Sequence, residues 1–307
     1  LVGSEMCIRD SVNGFQYAFS ATVGTAFATI SSTHYSQIIA QSIEGLNVSD
    51  LQWGTPNAQP VTVNFWWRSS ITQTYYLSLK NGAANRSYVV PFTALANTWQ
   101  NFSFVIPGDT TGTWSTDNTV GISLFISTAV GSTYSTSSAS TWVAGNFFGI
   151  TGNTNGFIAT SGNNVLITGL QFEKGSIATP FEFRPYAVEI PLCQRYYVRY
   201  GFPMDTRTYT KVPGSGFVST TTTAAFQTQP PCLLRDYTTV TCNQSSHAVS
   251  VTGANVAITS VTVDTAATNP YALAVTLTTA GGLAAGQGCH LLKNNNANGY
   301  FEIVNEL

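Results

Sequence analysis

Charge is what this 307-residue chain has least of. Only 8% of its residues are Asp, Glu, Lys or Arg, against about 25% in an ordinary globular domain, and the formal net charge is −2. With no basic stripe to neutralise phosphates, nucleic acid is not expected as a partner. No apolar run approaches the roughly 20 residues a membrane-spanning helix needs, so membrane insertion is not expected either. His34, His247 and His290 stand alone in sequence, and there is no G-x-S-x-G elbow or H-E-x-x-H helix. Each histidine therefore reads as a turn or surface residue. Cys193, Cys232, Cys242 and Cys289 make no C-x-x-C pair and read as buried free thiols, with Cys232 and Cys242 the one pair to weigh as a disulfide.

The first ten residues, LVGSEMCIRD, lack both hydrophobic period and turn logic. Codon by codon they match the translation of a transposon-end adapter used in shotgun DNA sequencing. Residues 1–11, Cys7 included, are expected to be adapter-derived, and the remainder to be the C-terminal part of a longer protein recovered from environmental DNA.

Aromatic residues, at 12%, are plentiful, set among Ser, Thr, Asn and Gly. In Pro60–Arg68, Val61, Val63, Phe65 and Trp67 alternate with Thr62, Asn64, Trp66 and Arg68, which is the period of a half-buried strand. Tyr75/Leu77/Leu79, Gln100/Phe102/Phe104/Ile106, Val120/Ile122/Leu124/Ile126 and Leu166/Thr168/Leu170/Phe172 repeat it, separated by turn clusters such as Asn81-Gly82 and Pro107-Gly108-Asp109. A short helical turn over Val48–Trp53, capped by Asn47, is expected, as is a surface loop over the low-complexity stretch Gly131–Thr141. Prolines 180, 185 and 191 and a concentration of charge mark a boundary. Beyond it, Phe217, Tyr237–Val240, Ile258–Val263, Tyr271–Thr278 and Tyr300–Val304 supply further strands. The expected fold is all-β: a jelly-roll β-sandwich over 12–186, a junction over 187–200 and a second, smaller antiparallel β-sandwich over 201–307.

Gly169–Tyr186 (GLQFEKGSIATPFEFRPY) followed by Leu192–Tyr197 (LCQRYY) closely resembles bacteriophage tail-fibre and receptor-binding proteins. Ile43–Gly54, Val63–Ser70 and Ile106–Trp114 also look like this family. Pro230–Arg235 and the ending Tyr300–Leu307 are similar more loosely, the ending suggesting a natural C-terminus. The resemblance implies a carbohydrate-binding-module-like jelly roll joined to a C-terminal tip domain, a homotrimer, a place in the virion tail fibre, and a bacterial surface polysaccharide or lipopolysaccharide as partner during host adsorption.

The residues accommodate that chemistry. Sugars stack their C–H faces on aromatic rings and offer hydroxyls to neighbouring amides and guanidinium groups. Trp66 shares a strand face with Asn64 and Arg68; Tyr76, with Lys80, is expected on the matching face of the next strand, and Trp114 and Trp142 are further candidates. Burial of that face beneath another layer or subunit is the structural alternative. A tail-associated glycan hydrolase or deacetylase is another, since Glu44, Asp109 and Asp117 are carboxylates a fold can bring together. No cofactor or resident metal is expected, although Asp117-Asn118 admits calcium as the alternative to an Asx turn. Glu173, Lys174, Glu182, Arg184, Arg195 and Arg199 are expected to pair at the domain or subunit junction.

Overall fold

The computed structural model describes Ser4–Glu5, Val12 and residues 14–236, 239–269 and 271–306. Apart from the two-residue strand Ser4–Glu5, the adapter-like segment lies outside the described residues, as do Tyr237 and Thr238. The described chain is almost wholly antiparallel β and divides into two compact units, the second being Phe183–Glu306.

The first unit runs β1 (Ser4–Glu5), β2 (Phe19–Thr22), β3 (Tyr35–Glu44), β4 (Val61–Ser69), β5 (Gln73–Asn81), β6 (Arg86–Ala94), β7 (Gln100–Ile106), β8 (Val120–Val130), β9 (Ser135–Thr136), β10 (Trp142–Ala144), β11 (Gly149–Ile150) and β12 (Asn164–Lys174). Two five-stranded sheets, ordered β1-β2-β12-β4-β7 and β10-β6-β5-β8-β3, sandwich one apolar core. The period-2 reading of β4 holds residue by residue: Val61, Val63, Phe65 and Trp67 are fully buried, while Asn64, Trp66 and Arg68 remain partly open. Across the core, Trp67 meets Tyr75 at 5.0 Å and Phe65 meets Phe92 at 5.4 Å between ring centroids. Burial pushes the Tyr75 phenol up to about 12 although its hydroxyl is bonded to Ser69 Oγ. The β5–β6 turn is set by Asn81, whose Oδ1 accepts from the N–H groups of Asn85 and Arg86. A Cβ at Gly82 would sit 2.3 Å from the Val120 carbonyl oxygen, so the turn has room only for glycine.

In β12 the expected alternation is out of phase. Val165 and Ile167 face Trp67 and the core, and Leu166 and Thr168 lie on the face opposite. A bulge between Thr168 and Gln171, with Gly169 at φ +61°, then restores Phe172 to the core side opposite Val63. The turn expected over Val48–Trp53 is two 3₁₀ segments, Gly45–Asn47 and Ser49–Leu51, so Asn47 sits inside the first and does not cap a helix. The Gly131–Thr141 stretch also departs from a plain surface loop: Ser135 and Thr136 are buried, and β9 pairs in parallel with β11.

The second unit opens with α1 (Tyr186–Gln194), continues through β13 (Tyr197–Gly201), β14 (Ser215–Val218), β15 (Thr223–Thr228), β16 (Val240–Cys242), β17 (His247–Val251), β18 (Ala254–Val263), β19 (Leu273–Thr279) and β20 (Gly288–Lys293), and ends in β21 (Tyr300–Val304). Six strands, β14-β15-β19-β18-β17-β20, join edge to edge into a closed barrel flanked by the three-stranded sheet β13-β21-β16. The stretch assigned to a junction thus carries α1 and β13, and β13 is tied into this unit by pairing with β21. All four described cysteines are free, Cys193 being exposed and Cys289 buried. His247, expected at the surface, is fully buried on β17; desolvation lowers its pKa and Nδ1 bonds the Asn243 carbonyl.

Candidate functional site

The outer face of the β4 sheet gathers the strongest chemistry. Antiparallel register puts Trp66 between Thr168 of β12 and Asn101 of β7, and Asn64 between Gln171 and Ser103; directly opposed side chains share a face. Trp66 is half-buried and stacks on no described ring, its indole N–H donating to no described residue. Asn64 Oδ1 is shut off from solvent yet accepts no hydrogen bond there. Arg68, opposite Leu166, extends the row. One margin is built by a segment after β12: Gln171 Nε2 donates to the Thr179 carbonyl at 3.3 Å, and Glu173 accepts from Thr179 N and Oγ1. Another is the chain at Tyr17, exposed, whose carbonyl accepts from Thr168 Oγ1 at 2.8 Å. Toward the other edge, β7 presents exposed Asn101, Ser103 and Val105. The result is a polar strip exposed along β7 and half-buried around one indole, and bounded by buried Thr62 and Leu166.

Tyr76 is corrected. Although β5 follows β4 in sequence, it lies in the other sheet, so its outward residues face away from Trp66. Tyr76 is only 4% exposed and packs beneath the β9–β11 segment, where burial raises its phenol pKa. Lys80 is buried on the same face, its Nζ donating to Asn146 Oδ1 at 2.5 Å and lying 3.8 Å from the Phe148 ring centroid; desolvation brings its pKa down to about 8. Trp114 and Trp142 are also placed elsewhere. With Trp53 they form a three-indole cluster at 4.7–5.3 Å, packed against the core. Each indole N–H donates to a backbone carbonyl, of Gln59, Thr111 and Pro107 for Trp53, Trp114 and Trp142 in turn. Their N–H donors are committed within the unit, and their rings pack on one another.

The carboxylates are committed as well. Asp109, 2% exposed, receives Arg86 Nε at 2.7 Å and Nη2 at 2.9 Å, with Thr111 N and Oγ1 completing its partners. Glu44 is buried. Asp117 accepts from Ser115 Oγ, Thr119 Oγ1 and Thr119 N, which hold its carboxyl down at about 2; a glycosidic general acid needs the opposite shift. This is the Asx-turn arrangement, and among the described residues no three His, Cys, Asp or Glu side chains gather as a metal site.

Several of the junction residues have partners within their own unit. Lys174 reaches Asp50 at 3.0 Å, and the Glu182 backbone N–H donates to Gln171 Oε1. Arg184 faces Glu189 at 3.5 Å, Arg195 donates to the Leu233 carbonyl, and Arg199 pairs with Glu302 at 3.0 Å beneath the Tyr300 ring. The contributions of Tyr17, Thr168 and Gln171 to the Trp66 strip were missed by sequence reasoning, because long-range pairing brings them there; the outward positions Asn101 and Ser103 follow from the alternation of β7.

No family model matches the chain, and no curated protein matches it. Among solved structures, the arabinose-bound α-L-arabinofuranosidase MgGH51 is similar over 69% of this chain and 28% of that one, at 9% identity and a TM-score of 0.30. The chain spans less than a third of that enzyme's length, and a likeness at this score decides nothing about activity.

Proposed function

We propose that the first unit binds a bacterial surface glycan, a polysaccharide or lipopolysaccharide, on the strip around Trp66, as part of a phage tail-fibre receptor-binding protein. The observation that carries the reading is a half-buried indole flanked by amides and hydroxyls, with Asn101 and Ser103 exposed beside it. A pyranose face covers the indole, and its hydroxyls meet the exposed amide and hydroxyl of Asn101 and Ser103. A surface strip suits an extended chain, whereas an enclosed pocket suits a small molecule. The virion setting and the homotrimer rest on the resemblance in residues 43–54, 63–70, 106–114, 169–186 and 192–197.

The test is binding of the purified chain to a glycan array and to intact cells, comparing wild type with Trp66→Ala and, as a control on the same sheet face, Val105→Ala. Covering roughly 100 Å² of indole at about 25 cal/mol per Å² is worth about 2.5 kcal/mol, so Trp66→Ala should weaken binding at least about tenfold. Undiminished binding by folded Trp66→Ala would move recognition off this strip.

A further inference from the structure

We propose that the first unit carries a second binding site, separate from the Trp66 strip, that takes a single uncharged sugar ring. It is a recess of about 290 Å³ between the chain entering β3, the chain leaving β8 and the segment after β11. Val130 ends β8 opposite Tyr35, which opens β3, so the recess sits at the end of the other sheet from Trp66. Every residue that lines it belongs to the first unit. The inference does not rest on the strip.

The walls are pinned to one another before any ligand arrives. Gly131 N donates to the His34 carbonyl at 2.7 Å and Thr133 N to the Ser32 carbonyl at 2.9 Å. A Cβ at Gly131 would lie 2.3 Å from the Ser31 carbonyl oxygen, so only glycine lets these two segments come so close. Half-buried Asn153 ties in the third segment: its Nδ2 donates to the carbonyls of Val130 at 2.6 Å and Ile150 at 3.0 Å, and its Oδ1 accepts from Val130 N at 3.0 Å. Ser135 Oγ is held by the Gly131 carbonyl at 3.0 Å. Asn153 and Ser135 are thus committed to the frame, and a ligand meets a site formed in advance, which keeps the cost of ordering it low.

The groups left over decide the ligand. Ser32, Ser132 and Thr151 line the recess, exposed, with hydroxyls that bond no described residue, while Ile30 and Val130 supply apolar surface. No Lys, Arg, Asp or Glu lines it, so a carboxylate or phosphate placed there would lose water and gain no counter-ion. An apolar ligand would cover the three hydroxyls and leave them unpaired. A sugar ring meets both demands, laying its C–H face on Ile30 and Val130 and exchanging hydrogen bonds with hydroxyls that both donate and accept. The volume lies at the small end of the roughly 300–1,000 Å³ of ligand pockets, which is room for one ring and not for an oligosaccharide. The recess therefore reads a terminal or branching residue.

The experiment is saturation-transfer NMR on the full chain, with glucose, galactose, rhamnose and N-acetylglucosamine as probes and glucuronate and inorganic phosphate as charged controls. The variants are Thr151→Phe, which fills the recess, Ser32→Ala/Ser132→Ala, which trims its hydroxyls, and Trp66→Ala, with melting curves to confirm that each folds. A single ring should bind with a dissociation constant on the order of 1 mM. At least one neutral probe should bind wild type and Trp66→Ala alike, lose binding in Thr151→Phe, and bind about fivefold or more weakly to the double alanine variant. The proposal is overturned if none of the four neutral sugars binds at about ten times that concentration, or if folded Thr151→Phe and the double variant both bind like wild type. Glucuronate or phosphate binding as tightly as the neutral sugar would also overturn it, and a loss confined to Trp66→Ala would put the ring on the strip instead.

Discussion

Arg86→Met leaves Asp109 buried with half its partners. The carboxylate is 2% exposed and the guanidinium 18%, so neither is appreciably rehydrated in place. Two charge-assisted bonds, at 2.7 and 2.9 Å, disappear, while Thr111 still donates to Oδ1 alone. Removing one member of a buried pair costs about 3–5 kcal/mol, most of it the penalty on the stranded charge. Adding Asp109→Asn discharges that group while keeping an acceptor for Thr111, so the double variant should recover about 2 kcal/mol. The pair lies near the indole cluster: a Cβ at Gly112 would meet Arg86 Cγ, and one at Gly54 would meet the Gly112 carbonyl and Trp114. Urea unfolding followed by tryptophan fluorescence therefore reads this region, and calorimetry separates the transitions of the two units. A single-variant cost below about 1 kcal/mol, or a double variant no more stable than Arg86→Met, would refute the reasoning.

Three further outcomes follow from the same geometry. Lys80 has its pKa lowered to about 8 by burial; the unfolded chain then binds more protons above pH 8, so the native state gains stability from about pH 8 to 10. Lys80→Met should abolish that gain in melting curves, and an identical pH slope in the variant would contradict it. Trp114→Ala or Trp142→Ala should cost about 3–5 kcal/mol in urea unfolding, because each opens the indole cluster; a stable variant that loses only glycan binding would place these residues back in the site. Calcium titration should leave the melting temperature and glycan binding unchanged, since Asp117 is occupied by Ser115 and Thr119, and a chelator-sensitive melting temperature would disprove this.

Much of the first unit was legible because the core-facing residues of its central strands are apolar and alternate in sequence, even where, as in β5 and β8, the outward residues are covered too. β4, β5 and β8 show their inward residues directly, as do Phe102, Phe104 and Ile106 of β7. What escaped was non-local. Nothing between Ser69 and Gln73 signals that β4 and β5 enter different sheets, so local pattern alone puts Tyr76 beside Trp66, whereas it lies on the other sheet. The Gly169 bulge breaks the period of β12, which cost the phase of Leu166 and Thr168. His247 is buried by a barrel closure that no local pattern announces. The face of Trp66 was legible from alternation within β4 alone, while its neighbours Thr168 and Gln171 depend on pairing across about a hundred residues of chain.

The central claim is that the strip around Trp66 holds a glycan, and its most direct measurement is the affinity of folded Trp66→Ala for the surface glycan or cells that wild type binds. A loss of at least about tenfold, with the solution mass unchanged, is the predicted result. Wild-type affinity in the variant, or a loss of binding that appears only together with a fall to single-chain mass, would contradict it and assign Trp66 to a structural contact.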